Sequence, residues 1–222
     1  MIPFTTTFKK SARATVRATI RATAWVALTA AWAGPSWANA PAVVGQPAPA
    51  FTATDTSGKR VSLADFKGKH VVLEWVNPGC PYVVKHYNSA NMQGTQKEAT
   101  GKGVVWLAIN STAVDHGDYK TAPAMAQWMQ NHKATASATL MDSDGKLGRA
   151  YGARTTPHLY IVDPQGLLVY AGGIDNKASS NPADIATATN HVKVALGETL
   201  ASKPIALANT RPYGCSVKYS SM

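Results

Sequence analysis

The chain has 222 residues, 45% of them hydrophobic, and carries 22 lysines and arginines against 12 acids for a formal charge of +10. That length predicts one domain with an ordinary core plus extensions. Its two cysteines are too few for a disulfide scaffold, or for a zinc site without histidine help, and its scattered basic residues do not form the aromatic-interleaved patch of a nucleic-acid binder.

Residues 1–38 read as a secretory leader. Lys9, Lys10, Arg13, Arg17 and Arg21 precede an apolar run from Ala22 to Ala33, and the small residues Ser36 and Ala38 supply a cleavage point. An acid-free organellar transit peptide is the alternative. The run is too short for a bilayer-spanning helix, so no stable membrane span is expected after leader removal, and the expected location is exported, periplasmic. Beyond residue 40 the balance is 17 basic against 12 acidic residues, or +5.

Residues 39–50 form an extended lead-in, 51–201 the folded domain, and 202–222 a C-terminal tail without periodicity. A hairpin is expected around Phe51–Leu63, turning at Asp55-Thr56-Ser57-Gly58. His70–Val76 and Val104–Ile109 read as buried strands, with a helix starting at Pro81 between them. A helix over Ala122–His132 places Met125, Trp128 and Met129 on one face as core. Residues 135–141 offer a third strand, followed by a turn at Asp142–Gly145 and a short helix through Leu147–Tyr151. His158–Val162 and Leu167–Tyr170 form a hairpin around Asp163-Pro164-Gln165-Gly166. Asn181-Pro182-Ala183-Asp184 opens a last helix running to about Leu200. This alternation predicts an α/β fold with a central mixed sheet flanked by helices.

Cys80 follows a strand directly and opens a helix. First-turn N–H groups and the helix dipole favour a thiolate there, which makes Cys80 the candidate nucleophile; the bland alternative is a small buried hydrophobe. In an oxidising compartment Cys80 and Cys215 are a candidate disulfide, permanent or cycling. Closing that loop of 135 residues (215 minus 80) would contribute roughly 4–5 kcal/mol on the chain-entropy model. Lys85 and His86 read as surface or partly buried groups. Glu74 reads as a buried proton relay or as a cross-strand partner to a lysine or arginine.

The frame Gly45-Gln46-Pro47-Ala48-Pro49-Ala50-Phe51, with Gly58, Leu63 and Phe66-Lys67-Gly68-Lys69, resembles the opening of thioredoxin-like redoxins of the peroxiredoxin (thiol-specific antioxidant) branch. Trp75–Val83, with its Cys-Pro-Tyr-Val centre, and the Gly-Cys tail of Arg211–Tyr219 resemble one peroxiredoxin-like subgroup. The resemblance implies a thioredoxin-like fold with an N-terminal hairpin extension and a cis-proline at Thr156-Pro157 facing Cys80 and shaping a substrate groove. It implies Cys215 as the resolving thiol and Arg154 as a charge near the thiolate. The implied activity is thiol-based oxidoreduction of a peroxide or a protein disulfide, with an external thiol as reductant and no cofactor, metal or nucleic acid. Asn77 replaces the first cysteine of a Cys-x-x-Cys pair, so that disulfide cannot form. A non-catalytic binding module locked by a Cys80–Cys215 bridge is the rival reading.

Overall fold

The computed structural model describes residues 41–221, together with Met1, Pro3, Thr5 and Thr7. The bulk of the leader assigned to 1–38, and residues 39 and 40 of the lead-in, lie outside the described residues. From Pro41 the lead-in runs along the later hairpin, with the Gly45 and Ala48 amides donating to the carbonyls of Leu168 and Gly166 at 2.8 and 2.9 Å.

The first hairpin pairs β1 (Thr52–Asp55) with β2 (Arg60–Ser62). Asp55 closes its turn by accepting from the Ser57 and Lys59 amides. β3 (Val71–Trp75) is buried at every position, as a strand between two covered faces should be, and its one charged residue, Glu74, is buried with the rest. Two helices follow, α1 (Pro81–Asn88) and α2 (Asn91–Gly101), separated by Ala90 at φ 59°. β4 (Val105–Asn110), α3 (Ala122–Asn131), β5 (Ala138–Met141) and α4 (Lys146–Tyr151) come next. β6 is only Thr155–Thr156, and β7 (His158–Val162) and β8 (Leu168–Gly172) form the second hairpin.

The sheet order is β2-β1-β5-β4-β3-β7-β8, with β3, β4 and β5 parallel and the other pairings antiparallel. Alternation along β3 divides the core. Val72 and Val76 face a cluster built with Trp106, Met92, Met125 and Ile161, whereas Leu73 and Trp75 face Leu107, Leu140, Tyr151 and Tyr160. The central strands, α1, α3 and α4 stand where the sequence puts them, α2 is a separate helix beyond the one expected from Pro81, and the mixed α/β architecture with its N-terminal hairpin is as expected.

Two later segments differ. The expected final helix is split: Asn181 caps a 3-10 turn over Pro182–Thr187, Ala188 returns to extended backbone, and α5 (His191–Leu200) starts afresh under an Asn190 cap. The Asn-Pro-Ala-Asp signal was satisfied by one short turn, and a second capping asparagine supplied the true start. The tail is also ordered, since β9 (Cys215–Ser216) pairs antiparallel with β6. No helix among the described residues is long and apolar enough to cross a membrane.

Candidate active site

β3 stops because Asn77-Pro78-Gly79 cannot extend a strand, and the chain turns there into α1. Asn77, itself buried, holds the turn from both sides: its Oδ1 accepts from the Gly79 amide and its Nδ2 donates to Asp118, both at 2.9 Å. Cys80 is the N-cap residue of α1 and Pro81 its first helical residue. Proline is suited to that place because a first-turn N–H has no intrahelical acceptor to lose.

The Cys80 side chain is 1% exposed, and its thiol donates to the Thr156 carbonyl oxygen at 3.0 Å. The Thr156–Pro157 peptide bond is cis, as the resemblance implied. Thr156 is paired on its other side by the tail, in the register Thr156–Cys215 and Thr155–Ser216. Cys80 and Cys215 therefore meet at one backbone residue although 135 positions separate them (215 minus 80). Both are free thiols. Burial pushes the Cys215 thiol up to about 12, helped by the Cys80 sulfur and opposed by the Lys218 ammonium.

Arg154 is exposed, and its side chain makes no hydrogen bond to either sulfur among the described residues. Its backbone serves the site instead: the carbonyl accepts from Val217, extending the tail strand, and the amide donates to His158 Nδ1 at 3.3 Å. The His158 imidazole is depressed to about 3, first by burial and then by the Arg154 charge.

Lys85 and His86 correct the expectation of surface or partly buried groups. His86 has no exposed area, and Lys85 is almost wholly covered, with its Nζ donating to the Ser179 carbonyl at 2.8 Å. Cys80 caps the helix in the extended conformation usual for that position, and it is the tail, through Tyr213, that covers the face carrying both residues. Glu74 has no basic partner among the described residues. Its carboxyl oxygens receive Tyr87 at 2.8 Å, Gln96 at 3.0 Å and Trp106 at 2.7 Å. Burial raises its pKa despite these three donors.

Three residues at the site escaped the sequence reading. Asp118 lies against the Asn77 turn, and Tyr213 and Asp175 share a 2.6 Å hydrogen bond. Tyr213 stood two residues before Cys215 in a recognised motif, a usable signal. Asp175 and Asp118 carried none, being single acids in polar loops.

Residues 44–171 match the sequence profile of the AhpC/TSA family. Among curated proteins, the chain is 26% identical over 132 residues to the thiol-disulfide oxidoreductase ResA of Bacillus subtilis, covering 56% of this chain and 64% of that protein. It is 28% identical over 142 residues to the thiol:disulfide interchange protein DsbE of Pseudomonas aeruginosa, covering 61% and 71%. The match thus spans less than two thirds of ResA. A hypothetical protein of Sinorhizobium meliloti superposes with a TM-score of 0.69 at 22% identity, over 82% of this chain and 98% of that one. An uncharacterised conserved protein of Geobacillus kaustophilus gives 0.69 at 24%, over 81% and 94%. These likenesses show the fold, which is thioredoxin-like. The profile match ends 44 residues before Cys215 (215 minus 171), so the tail lies beyond it. On a match over more than half its length, the chain belongs to the AhpC/TSA family of thioredoxin-like redoxins.

Proposed function

We propose that this chain is an exported two-cysteine thiol oxidoreductase in which Cys80 is the nucleophile and Cys215 the resolving thiol. The observation that carries the reading is the meeting of both sulfurs at Thr156. The leader sequence motivates the exported, periplasmic location, with a redoxin domain over 51–201 and a functional tail over 202–222. The likeness to ResA and DsbE favours thiol–disulfide exchange as the chemistry.

In that exchange the Cys80 thiolate attacks one sulfur of a protein disulfide and releases the other as a thiol. The Cys215 thiolate then attacks the Cys80 sulfur, releasing the second substrate thiol and leaving a Cys80–Cys215 bond. The substrate gains two electrons, and an external dithiol restores the protein. A peroxide enters the same cycle one step earlier: Cys80 takes one peroxide oxygen to become a sulfenic acid, an alcohol or water leaves, and Cys215 displaces water. The buried position of Cys80 suits a small peroxide, and a protein disulfide requires the tail to lift. Thr156 and Pro157 shape the groove in either case. Arg154, exposed and bonded to neither sulfur, acts on Cys80 only through the field of its charge.

Intact mass tests the cycle. One equivalent of hydrogen peroxide should lower the reduced mass by about 2 Da within minutes, and dithiothreitol should reverse it. Cys215→Ser should instead gain about 16 Da, and Cys80→Ser should not change. An oxidised form that resists dithiothreitol under native conditions would identify a scaffold with a permanent bridge.

A further inference from the structure

Between Thr210 and Ser220 the tail is held at several points, and the most deeply seated is Tyr213, 9% exposed. Its hydroxyl lies within a directed chain of hydrogen bonds drawn from three other parts of the fold. Asn91 Nδ2, at the start of α2, donates to His86 Nδ1 at 2.7 Å. His86 Nε2 faces the Tyr213 hydroxyl at 3.2 Å, and that hydroxyl donates to Asp175 Oδ1 at 2.6 Å. The hydroxyl has one proton and gives it to the carboxylate, so His86 must donate through Nε2 and accept through Nδ1. Only the neutral imidazole does both. Burial first, and the Lys85 charge next, hold this histidine down to about 4, so the neutral form persists at physiological pH.

The ring is fixed as well as the hydroxyl. Tyr82 packs edge-on against it with centroids 5.9 Å apart, and Lys85 Nζ lies 5.6 Å from its centre. Tyr82, Lys85 and His86 all belong to α1, the helix that Cys80 caps. The anchor therefore fastens the tail to the element that carries the nucleophile. Gly214 then passes so close to the Thr156 carbonyl, at φ 129°, that any Cβ would collide with that oxygen. Cys215 follows immediately in register with Thr156.

We infer that Tyr213 is a positioning residue: its seat between His86 and Asp175 holds Cys215 against Cys80 and closes the tail over the nucleophile. The inference rests on reading Cys80 and Cys215 as the reacting pair. It goes further by assigning to one tyrosine both the placement of the resolving thiol and the access to Cys80. Opening of the tail is then a local event, set by the strength of this seat rather than by global stability.

Alkylation of Cys80 by iodoacetamide in the full-length Cys215→Ser protein reads that opening directly, because one thiol remains and no redox step is needed. Tyr213→Phe keeps the ring and loses the hydroxyl, and should raise the alkylation rate roughly tenfold, the effect of one or two hydrogen bonds. Tyr213→Ala should raise it further. In both variants the rate should be nearly independent of low urea concentrations, since lifting a short tail exposes little surface. Unchanged rates in both variants would overturn the assignment. So would a rise that climbs steeply with urea, which would report global unfolding. The wild-type mass decides the reacting pair separately: failure of both hydrogen peroxide and a small disulfide such as oxidised glutathione to remove about 2 Da would refute that reading, whatever the alkylation rates show.

Discussion

Replacing His158 with asparagine should flatten the acid sensitivity of the fold. Nδ1 of His158 faces two donors, the Arg154 amide at 3.3 Å and the Tyr160 hydroxyl at 3.1 Å, so the folded ring accepts there and has no room for a second proton. Folding moves the imidazole from 6.5 to about 3. The unfolded chain therefore binds this proton below about pH 6.5, while the folded chain does not until about pH 3. Stability conferred by the neutral ring is complete above the upper value and is lost as the pH falls through the window, by about 1.4 kcal/mol per pH unit. Over the whole displacement this amounts to about 5 kcal/mol. His86, displaced to about 4, adds a parallel loss, and the raised Glu74 carboxyl opposes both. The difference between variant and wild type isolates one proton. Asparagine offers an acceptor near the position of Nδ1 and does not titrate. Urea unfolding at pH 6.5, 5.5 and 4.5 should show the His158→Asn protein losing about 1.4 kcal/mol less per pH unit than the wild type. Parallel slopes would refute the buried neutral imidazole as a source of acid lability.

Two further outcomes follow from the same geometry. Gly214→Ala forces a Cβ into the Thr156 carbonyl at a φ that non-glycine residues rarely adopt, costing roughly 1–3 kcal/mol in backbone strain alone. Hydrogen exchange should lose protection over residues 213–219 and keep it in β3 and β4; unchanged tail protection would contradict the close approach. Glu74→Gln removes a carboxyl whose pKa is raised by burial, so the folded wild type keeps its proton above 4.5 and loses stability as the pH rises through the raised value. The variant should gain on the wild type as the pH rises from 4.5 to 8 in urea melts, and a difference independent of pH would show that Glu74 does not titrate in this range.

The parts of the fold legible in the sequence were those whose signals are local. β3 and β4 are predominantly apolar runs, broken only by Glu74 and by the terminal Asn110, and the Asn-Pro-Gly break before Cys80 fixes a strand-to-helix turn whatever surrounds it. The cis bond at Thr156–Pro157 was readable only through family resemblance, because isolated X-Pro bonds are seldom cis. What escaped depends on partners remote in the chain. β9 has two residues, too few for any alternation, and exists because β6 offers it an edge. The burial of His86 follows from Tyr213, 127 residues later, and from Asp175. That the Arg154 charge also bears on His158 was not legible, because it depends on how the His158 ring is buried. The division of the last helix turned on a choice between two asparagines, Asn181 and Asn190, each able to cap.

The distance in sequence between nucleophile and cover also imposes an order in time. Cys215 leaves the ribosome 135 residues after Cys80 (215 minus 80), which at ordinary elongation rates is roughly seven to thirty seconds. Throughout that interval a nascent Cys80 has neither its cover nor its partner sulfur, and thiol reagents in its surroundings meet it uncovered. With two cysteines in the chain, a single intramolecular pairing is available when the second arrives, so delay exposes the first sulfur without creating a wrong connectivity.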